Sequence, residues 1–328
     1  MDLRDAGRLR EMVNGYQVSH AISAAATLRL SDLLASGPRP VADLAAATGT
    51  HAPTLERLLR ALTSVGVYDR GDDGRFALTG LGEALCSDVP GSVAAWAELI
   101  GRPYYQLAWA GLADSVRTGD NAFARLNGMS IWEYRASRPE ELAVFDRAMT
   151  SLSSAVAAAV VESYDFGRFG TVVDVGGGRG SLLSAVLARY PAVHGVLFDQ
   201  AGVVAGAELP AGCRAVGGDF FESVPEGGDA YLLKAVLHDW ADDESIAVLR
   251  CLRRAVPQHG TLLVVEQLLD AGPDPVRTAF SDLNMLVAPG GRERTRAEYG
   301  ALLATAGFRL LRAVPTGTNV FVLEGEPA

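Results

Sequence analysis

Two stretches of this sequence carry residue types that could do chemistry. The first, "DVGGGRGSLL" (174–183), is a glycine-rich turn between a predicted strand and a predicted helix. Glycines let a ligand approach the backbone, and N–H groups at a helix start favour a carboxylate or phosphate. The second, "YLLKAVLHDW" (231–240), holds the only lysine of the chain, Lys234, four residues before His238. Because a histidine with a pKa near 6.5 can accept a proton at neutral pH, His238 is a candidate general base.

The order of glycines in the first stretch separates two classes of cofactor. A nicotinamide fingerprint, G-x-G-x-x-G, begun at Gly176 and Gly178 meets Ser181 where its third glycine belongs. The order found is D-x-G-x-G-x-G, with Asp174 ahead of the turn. This order suits a cofactor that carries an amino acid, such as S-adenosylmethionine. A glycine turn without a ligand is the alternative for this motif taken alone.

Two further predicted strand ends offer groups suited to the same cofactor. Asp199 ends "GVLFD", where a carboxylate can accept hydrogen bonds from both hydroxyls of a ribose, although a dehydrogenase would use it likewise. Asp219 and Phe220 follow the next strand and offer an acceptor for an adenine amino group beside an apolar ring. Asp219 alone is also typical of an ordinary turn. Because the carboxyl ends of parallel strands meet at one edge of a sheet, the three strand ends together predict one cofactor site.

The elements that must position these residues begin at residue 171. Strand-like and helical runs alternate from there, giving seven strands, which predicts an α/β fold with an open, doubly wound sheet. Only the short turn "PTGT" separates the last two strands, so they are expected to be antiparallel. A mostly parallel, Rossmann-like sheet that ends in an antiparallel hairpin is the class I methyltransferase arrangement.

The N-terminal part of the chain predicts a helical, winged-helix domain. Short amphipathic helices run from about residue 9 to 90 and end in "YDRGDDGRFALT", where Asp73-Gly74 is a strong hairpin signal. Such a fold often binds DNA, but the candidate recognition helix offers only Arg57 and Arg60 beside Glu56. DNA contacts usually neutralise several phosphates, so packing or dimerisation is the favoured role. Residues 92–165 are predicted to be a helical connector.

Composition limits the partners that this chain would accept. Its 328 residues carry a formal charge of −10, which disfavours nucleic acid and anionic membranes. No run of eighteen uninterrupted apolar residues appears and the charged start is unlike a signal peptide, so we expect a soluble cytoplasmic protein without a membrane partner. The three cysteines fit neither a disulfide framework nor a CxxC site. No cluster with metal-ligand spacing appears, so no metal is expected.

Nearly the whole chain resembles the metal-independent class I O-methyltransferases that act on small phenols, the plant caffeate/chalcone type and its bacterial relatives in antibiotic biosynthesis. The segments that carry the resemblance include "DVGGGRGSLL", "GDFFESVP", "LLKAVLHDWADDE", "VVEQLL", "DLNMLVAPGGRERT" and "FDRAMTS". One departure is "FDQ", where Leu-Pro often follows the aspartate in the family, which puts the ribose loop in doubt.

The resemblance also implies roles for individual residues. His238 would be the base, with Glu266 and Glu293 orienting its imidazole and stabilising its charge. Lys234 would border the polar tail of the cofactor, and Trp240 would stack on the adenine, although a core tryptophan is an alternative. The residues implied to contact the acceptor are Met149, Asp239 and Met285, with core-filling methionines as the alternative to the first and last.

We therefore expect a homodimeric enzyme that transfers a methyl group from S-adenosylmethionine, leaving S-adenosylhomocysteine, to a hydroxyl, expected to be phenolic, of a small aromatic secondary metabolite. The predicted divisions are 1–92 for the dimerisation domain, 93–165 for the connector and acceptor pocket, and 166–328 for the cofactor domain. Two alternatives stay open. The fold could bind the cofactor and catalyse N-methylation or hydroxylation, or the winged helix could serve a transcriptional regulator.

Overall fold

The computed structural model describes residues 3–328, and these form two compact units. The first unit comprises the described residues up to 106 together with 139–152. The second comprises 107–138 and 153–328 and contains both stretches singled out above.

The first unit is mainly helical. Its elements are α1 (Leu3–Thr27), α2 (Leu30–Leu34), α3 (Val41–Thr48), α4 (Ala52–Ser64), β1 (Tyr68–Arg70), β2 (Phe76–Leu78), α5 (Gly80–Glu83) and α6 (Ala94–Ile100). The predicted hairpin is confirmed, since β1 and β2 pair antiparallel and Gly74 has a φ of 77° in the turn between them. Leu55, Leu59 and Leu62 face one side of α4 and are buried, as helical spacing requires.

The connector predicted at 92–165 consists of separate helices. After α6 come α7 (Pro103–Ala110), α8 (Leu112–Thr118), α9 (Ala122–Asn127), α10 (Ile131–Ala136) and α11 (Pro139–Ser163). Among the described helices, α11 alone is long and apolar enough to cross a membrane. Its residues Ala157, Val160 and Val161 pack in the core of the second unit.

The second unit is built on a seven-stranded sheet. Its strands are β3 (Thr171–Val175), β4 (His194–Asp199), β5 (Cys213–Gly217), β6 (Ala230–Lys234), β7 (Thr261–Gln267), β8 (Phe308–Pro315) and β9 (Val320–Pro327). Their order across the sheet is β5-β4-β3-β6-β7-β9-β8. The first five strands in this order pair parallel, and β9 pairs antiparallel with both neighbours. The fold predicted from the alternating runs is therefore confirmed.

The helices of the second unit cover both faces of this sheet. Beyond those of the connector they are α12 (Ser181–Arg189), α13 (Ala201–Val204), α14 (Asp242–Ala255), α15 (Pro275–Val287) and α16 (Arg296–Thr305), with a 3-10 turn at Leu237–Asp239. The central strands are apolar over most of their length, because a parallel sheet is buried on both faces, and they become polar at their carboxyl ends. The strand order reverses between β3 and β6, and ligands of open α/β sheets bind at such a point, outside the carboxyl ends of the strands.

Candidate active site

The glycine turn follows β3 directly and has the shape of a cradle. Gly176 and Gly178 have φ of 69° and 60°, which favours glycine. A Cβ on Gly176 would lie 2.8 Å from the Val236 side chain, whereas a Cβ on Gly178 would meet nothing within 4 Å. One side of the turn therefore packs on the protein and the other is open. The backbone at Gly178 can be approached closely by a ligand.

Asp174 lies beneath this turn and is 1% exposed. Among the described residues, neither of its carboxylate oxygens accepts a hydrogen bond of good geometry, although the backbone N–H of Leu183 is near enough to favour the ionised form. Burial raises the pKa of Asp174 to about 7, while the charge of Lys234 acts in the opposite direction. A buried carboxylate without a partner is costly unless a bound group or water completes it, so the orphaned oxygens fit a site that holds a polar ligand.

Lys234 is the last residue of β6, as predicted, and it is not a surface lysine. Its Nζ donates a hydrogen bond of 2.9 Å to Ser153 Oγ. Burial lowers the pKa of Lys234, and the carboxylates of Asp174, Glu266 and Asp239 act to raise it. The chain's single ammonium is thus held among acidic groups at the sheet edge that carries the glycine turn.

The two aspartates predicted to hold the ribose and adenine lie at the ends of neighbouring strands. Asp199 Oδ2 accepts a hydrogen bond of 2.8 Å from the N–H of Gly178, which ties the glycine turn to β4. Asp219 is exposed, and its Oδ1 accepts from the N–H of Phe221 at 2.8 Å. Asp219 therefore stabilises the turn after β5 in this structure, and its role toward an adenine stays a prediction.

Aromatic rings gather beside Asp219. The Trp240 ring lies edge-on to Phe220 and Phe221, with centroids 6.0 and 4.9 Å away, and is stacked with Trp132 at 6.1 Å. A surface depression is lined by Phe221, Trp240 and the start of α14. Phe220 and Trp240 are thus brought together as the prediction requires. Sequence reasoning did not single out Phe221 and Trp132; the doubled Phe in "GDFFES" was a signal for the first only.

His238 lies between two buried glutamates. Its Nδ1 is 3.2 Å from Glu266 Oε2 and 3.3 Å from Glu293 Oε1, and its Nε2 is 3.6 Å from Asp239 Oδ1. The His238 side chain is 15% exposed, whereas those of Glu266 and Glu293 are 1% and 0% exposed. The structure therefore brings the three predicted catalytic residues into contact. Nδ1 faces the two glutamates at ion-pair distance, without a hydrogen bond of good geometry to either, and Nε2 is the nitrogen turned away from them.

These carboxylates control the protonation of the imidazole. Burial acts to lower the pKa of His238, but Glu266, Asp239 and Glu293 outweigh it and raise the pKa to about 10. Burial raises the pKa of Glu266 to about 7, with the charge of His238 opposing. For Glu293 burial is outweighed by the contacts with His238, Ser281 and Gln267, so its pKa lies below its usual range. The buried carboxylates therefore favour the imidazolium form of His238.

Both glutamates are fixed by further hydrogen bonds. Glu266 Oε1 accepts from the N–H groups of Val236 and Leu237 at 3.0 and 2.9 Å, so this carboxylate binds the turn that carries His238. Glu293 Oε1 accepts from Ser281 Oγ at 2.7 Å. Sequence reasoning missed Ser281 because it lies on α15, a helix it did not predict, although Asp274-Pro275 is a helix-start signal.

His238, Glu266 and Glu293 also place one donor atom each within 4.8 Å of one another. These residues are far apart in sequence, so no ligand spacing was visible before the fold was known. The same short distances suit an imidazolium between two carboxylates. The expectation that no metal takes part in the reaction stays a prediction.

The predicted acceptor contacts are only partly assembled. Asp239 lies beside His238 Nε2, and burial raises its pKa to about 6. Met285 is 8% exposed on α15 of the second unit, whereas Met149 is on α11 in the first unit. The joint role of the two methionines around an acceptor ring therefore stays a prediction.

Comparison with known proteins identifies the family of this chain. The O-methyltransferase domain model matches residues 109–309, and the O-methyltransferase dimerisation domain model matches residues 10–88. A phenazine O-methyltransferase of Lysobacter antibioticus is 43% identical over 97% of this chain and 95% of its own length. The mitomycin biosynthesis 6-O-methyltransferase of Streptomyces lavendulae is 41% identical over 95% and 91%.

Solved structures are also similar to this chain over its whole length. Human N-acetylserotonin methyltransferase in complex with SAM, 31% identical, superposes with a TM-score of 0.91 over 100% of this chain and 99% of its own. Two relatives have names that give other activities, an N,N-dimethyltransferase at 37% identity and a hydroxylase at 36%. The chain belongs to the O-methyltransferase family and carries that family's N-terminal dimerisation domain.

Proposed function

We propose that this protein transfers a methyl group from S-adenosylmethionine to a phenolic hydroxyl of a small aromatic secondary metabolite, with His238 as general base. The observation that carries the proposal is the position of the His238 imidazole between Glu266 and Glu293, at the sheet edge that also carries the glycine turn. The named activities of the phenazine and mitomycin relatives support the class of acceptor.

The residues present fit the cofactor. The open side at Gly178 and the orphaned carboxylate of Asp174 fit a ligand with polar groups. The residues that would hold it are Gly176, Gly178, Asp199, Asp219, Phe220, Lys234 and Trp240. When bound, S-adenosylmethionine supplies an electrophilic methyl group on a sulfonium. The task of the chain is then to orient the acceptor and to manage one proton in a site that excludes water, and orientation of this kind contributes on the order of 7–11 kcal/mol.

His238 manages that proton through Nε2. A phenol has a pKa of about 10, and the carboxylates that raise the pKa of His238 make its imidazole a stronger base toward such an acceptor. A neutral phenol beside a neutral imidazole and a phenolate beside an imidazolium contain the same number of protons and differ only in which group holds the shared one. Either description leaves the acceptor oxygen with electron density for attack, while Glu266 and Glu293 stabilise the imidazolium.

The relatives with other activities define the second candidate. The N,N-dimethyltransferase and the hydroxylase share the family, so family membership alone does not fix the atom that is modified. The His238–Glu266–Glu293 contacts favour oxygen as the acceptor, because a phenol must lose a proton to be a good nucleophile at neutral pH. We also propose that the protein works in the cytoplasm as a homodimer through its dimerisation domain.

The test uses purified protein, S-adenosylmethionine labelled in its methyl group and a panel of phenols. The panel includes 1,4-dihydroxy-2-naphthoic acid, which is bound by a solved relative, and the same rings with an amine in place of the hydroxyl. We expect label on oxygen, one S-adenosylhomocysteine per product, and no effect of a chelator. Label only on nitrogen, or oxygenated products without label, would refute the proposal in favour of the second candidate.

A further inference from the structure

Arg294 is the largest fully buried side chain described in the protein, and it lies directly against the turn that carries His238. The side chain of its neighbour Glu293 contacts the His238 side chain, whereas the side chain of Arg294 contacts backbone carbonyls of the same turn. The Arg294 Nη1 donates to the carbonyl of Leu237 at 2.8 Å, and Nη2 donates to the carbonyl of Trp240 at 2.8 Å. The two carbonyls flank His238 and Asp239 in the chain.

The remaining donors of Arg294 attach the turn to the start of α14. Nε and Nη2 both donate to Asp242 Oδ1, at 2.9 and 2.8 Å, and Nη2 lies 3.3 Å from Ser245 Oγ. The Ser245 hydroxyl in turn lies within hydrogen-bond distance of the Leu237 and Trp240 carbonyls, at 3.2 and 3.3 Å. One planar guanidinium therefore fixes both ends of the turn and the helix that follows it. A point ammonium cannot reproduce a fork of this width.

A second observation, independent of Arg294, shows how closely its loop is fitted to this turn. A Cβ on Gly291 would collide with the carbonyl oxygen of His238 and with the backbone of Asp239 and Trp240. The loop is held from its other side too, since the Leu269 N–H donates to the Arg294 carbonyl at 3.1 Å. The 237–240 backbone is thus confined between the 291–294 loop and the Glu266 carboxylate.

We propose that Arg294 is a positioning residue, which sets the distance from His238 to Glu266 and Glu293 by holding the Leu237 and Trp240 carbonyls. The inference rests on the proposed role of His238 as base. It adds that the fork of Arg294, rather than its charge, keeps the imidazole in place. The groups that face the imidazole are Glu266 from β7, Glu293 from the loop and Asp239 from its own turn.

The test is Arg294→Lys, which keeps the charge and removes the fork, with Arg253→Lys as the matched control. Arg253 also donates to a backbone carbonyl, that of Gly307, at 3.1 Å, and it lies on the opposite end of α14. We expect R294K to lower kcat by on the order of 10–100-fold, the effect of a small misplacement of a reacting group. R253K should leave kcat within about twofold of the wild type.

The decisive readout is the titration of His238 by NMR of 15N-histidine-labelled protein, assigned with H238Q. We expect the His238 midpoint in R294K to fall relative to wild type and R253K, because the imidazole moves away from its carboxylates. This titration does not need methyl transfer, so it separates failure of this inference from failure of the proposed function. An unchanged midpoint with a lowered melting temperature would make Arg294 merely structural and overturn the inference.

If R294K does not fold, Ser245→Ala is the milder variant. It removes one hydroxyl between the Leu237 and Trp240 carbonyls and leaves Arg294 in place. A smaller shift of the His238 midpoint in the same direction would support the inference. No shift in S245A, in a protein that folds, would contradict it.

Discussion

The carboxylate of Glu266 contacts His238 through both of its oxygens. Its Oε2 lies 3.2 Å from His238 Nδ1, and its Oε1 accepts hydrogen bonds from the backbone that leads into His238, including that residue's own N–H at 3.4 Å. The same group therefore fixes the position of the imidazole and stabilises its charged form. Because Glu293 lies at 3.3 Å from the same nitrogen and Asp239 at 3.6 Å from Nε2, three carboxylates act on the protonation of His238, and two of them are almost fully buried.

The raised pKa of His238 predicts the pH dependence of the reaction. The reactive complex has one proton fewer than the imidazolium with a neutral phenol, so its population grows as pH rises toward the pKa of about 10. We expect kcat/KM for the acceptor to increase about tenfold per pH unit in the range just above neutrality, and to level off as both groups lose their protons. A profile that is already flat from neutral pH upward would contradict the raised pKa.

The same pKa has a consequence for stability. The folded-state pKa of His238 is above the unfolded value, so its stabilising contribution is fully present below about pH 6.5 and is lost as pH rises toward about 10. We expect wild type to be more stable than His238→Gln at neutral pH and this difference to narrow as pH rises. Melting temperatures of both proteins across this range measure it. A difference that widens with pH would have the wrong sign.

Glu293→Gln tests the electrostatic part of the site with little change of shape. The amide oxygen can still accept from Ser281 Oγ, but one carboxylate charge beside His238 is gone. We expect the midpoint of the pH profile to move to lower pH and the limiting rate to fall, because the imidazolium is less stabilised. Glu326→Gln, which changes an exposed glutamate of β9, is the control and should leave the midpoint where it is.

Lys234→Met tests why the chain has its single lysine at this position. Removing the ammonium removes a cation from the neighbourhood of Asp174 and the glycine turn. We expect binding of S-adenosylmethionine, measured by calorimetry, to weaken by about 10–100-fold, the range for loss of a hydrogen bond to a charged group. Ser153→Ala keeps the ammonium and removes its hydrogen-bond acceptor, so it should bind more tightly than K234M. Equal affinities for wild type and K234M would remove Lys234 from the cofactor site.

The dimer prediction concerns an apolar stripe on α1. Leu9, Met12, Val13 and Tyr16 recur at helical spacing, and each is more than half exposed in the single chain. This stripe lies mostly within the residues matched by the dimerisation domain. We expect Met12→Glu to shift the protein from dimer to monomer in light scattering, whereas Val116→Glu on α8, equally exposed, should not. A Met12→Glu protein that stays dimeric would place the interface elsewhere.

Much of the fold was predictable because its signals are local. The runs "TVVDVG" and "TLLVVEQ" predict buried parallel strands, and Asp73-Gly74 predicts the β1–β2 hairpin. The placement of Asp199 and Lys234 at strand ends followed from the similar runs "GVLFD" and "AYLLK". These features depend on neighbours in sequence, so composition and spacing were sufficient.

The contacts within the site were less predictable because they are long-range. Resemblance to a family suggested that Glu266 and Glu293 approach His238, but not that both share one nitrogen. Nothing local distinguishes Arg294 from a surface arginine in "GGRERT", because the Leu237 and Trp240 carbonyls to which it donates lie more than fifty residues away in the chain. The sharp turn after β6 places Ala235 at a φ of 53°, a conformation that usually favours glycine, so the sequence gives no signal for this turn. Such features arise from packing between strand ends and loops.

The central claim is that His238 accepts the proton of a phenolic acceptor, and the most direct measurement is the single-turnover rate of methyl transfer in His238→Gln. His194→Gln, a change at an exposed histidine of β4, is the matched control. We predict a loss of about 10²–10⁴-fold in H238Q only, with S-adenosylmethionine affinity retained in both variants. A rate in H238Q close to that of H194Q would contradict the assignment of His238 as the base.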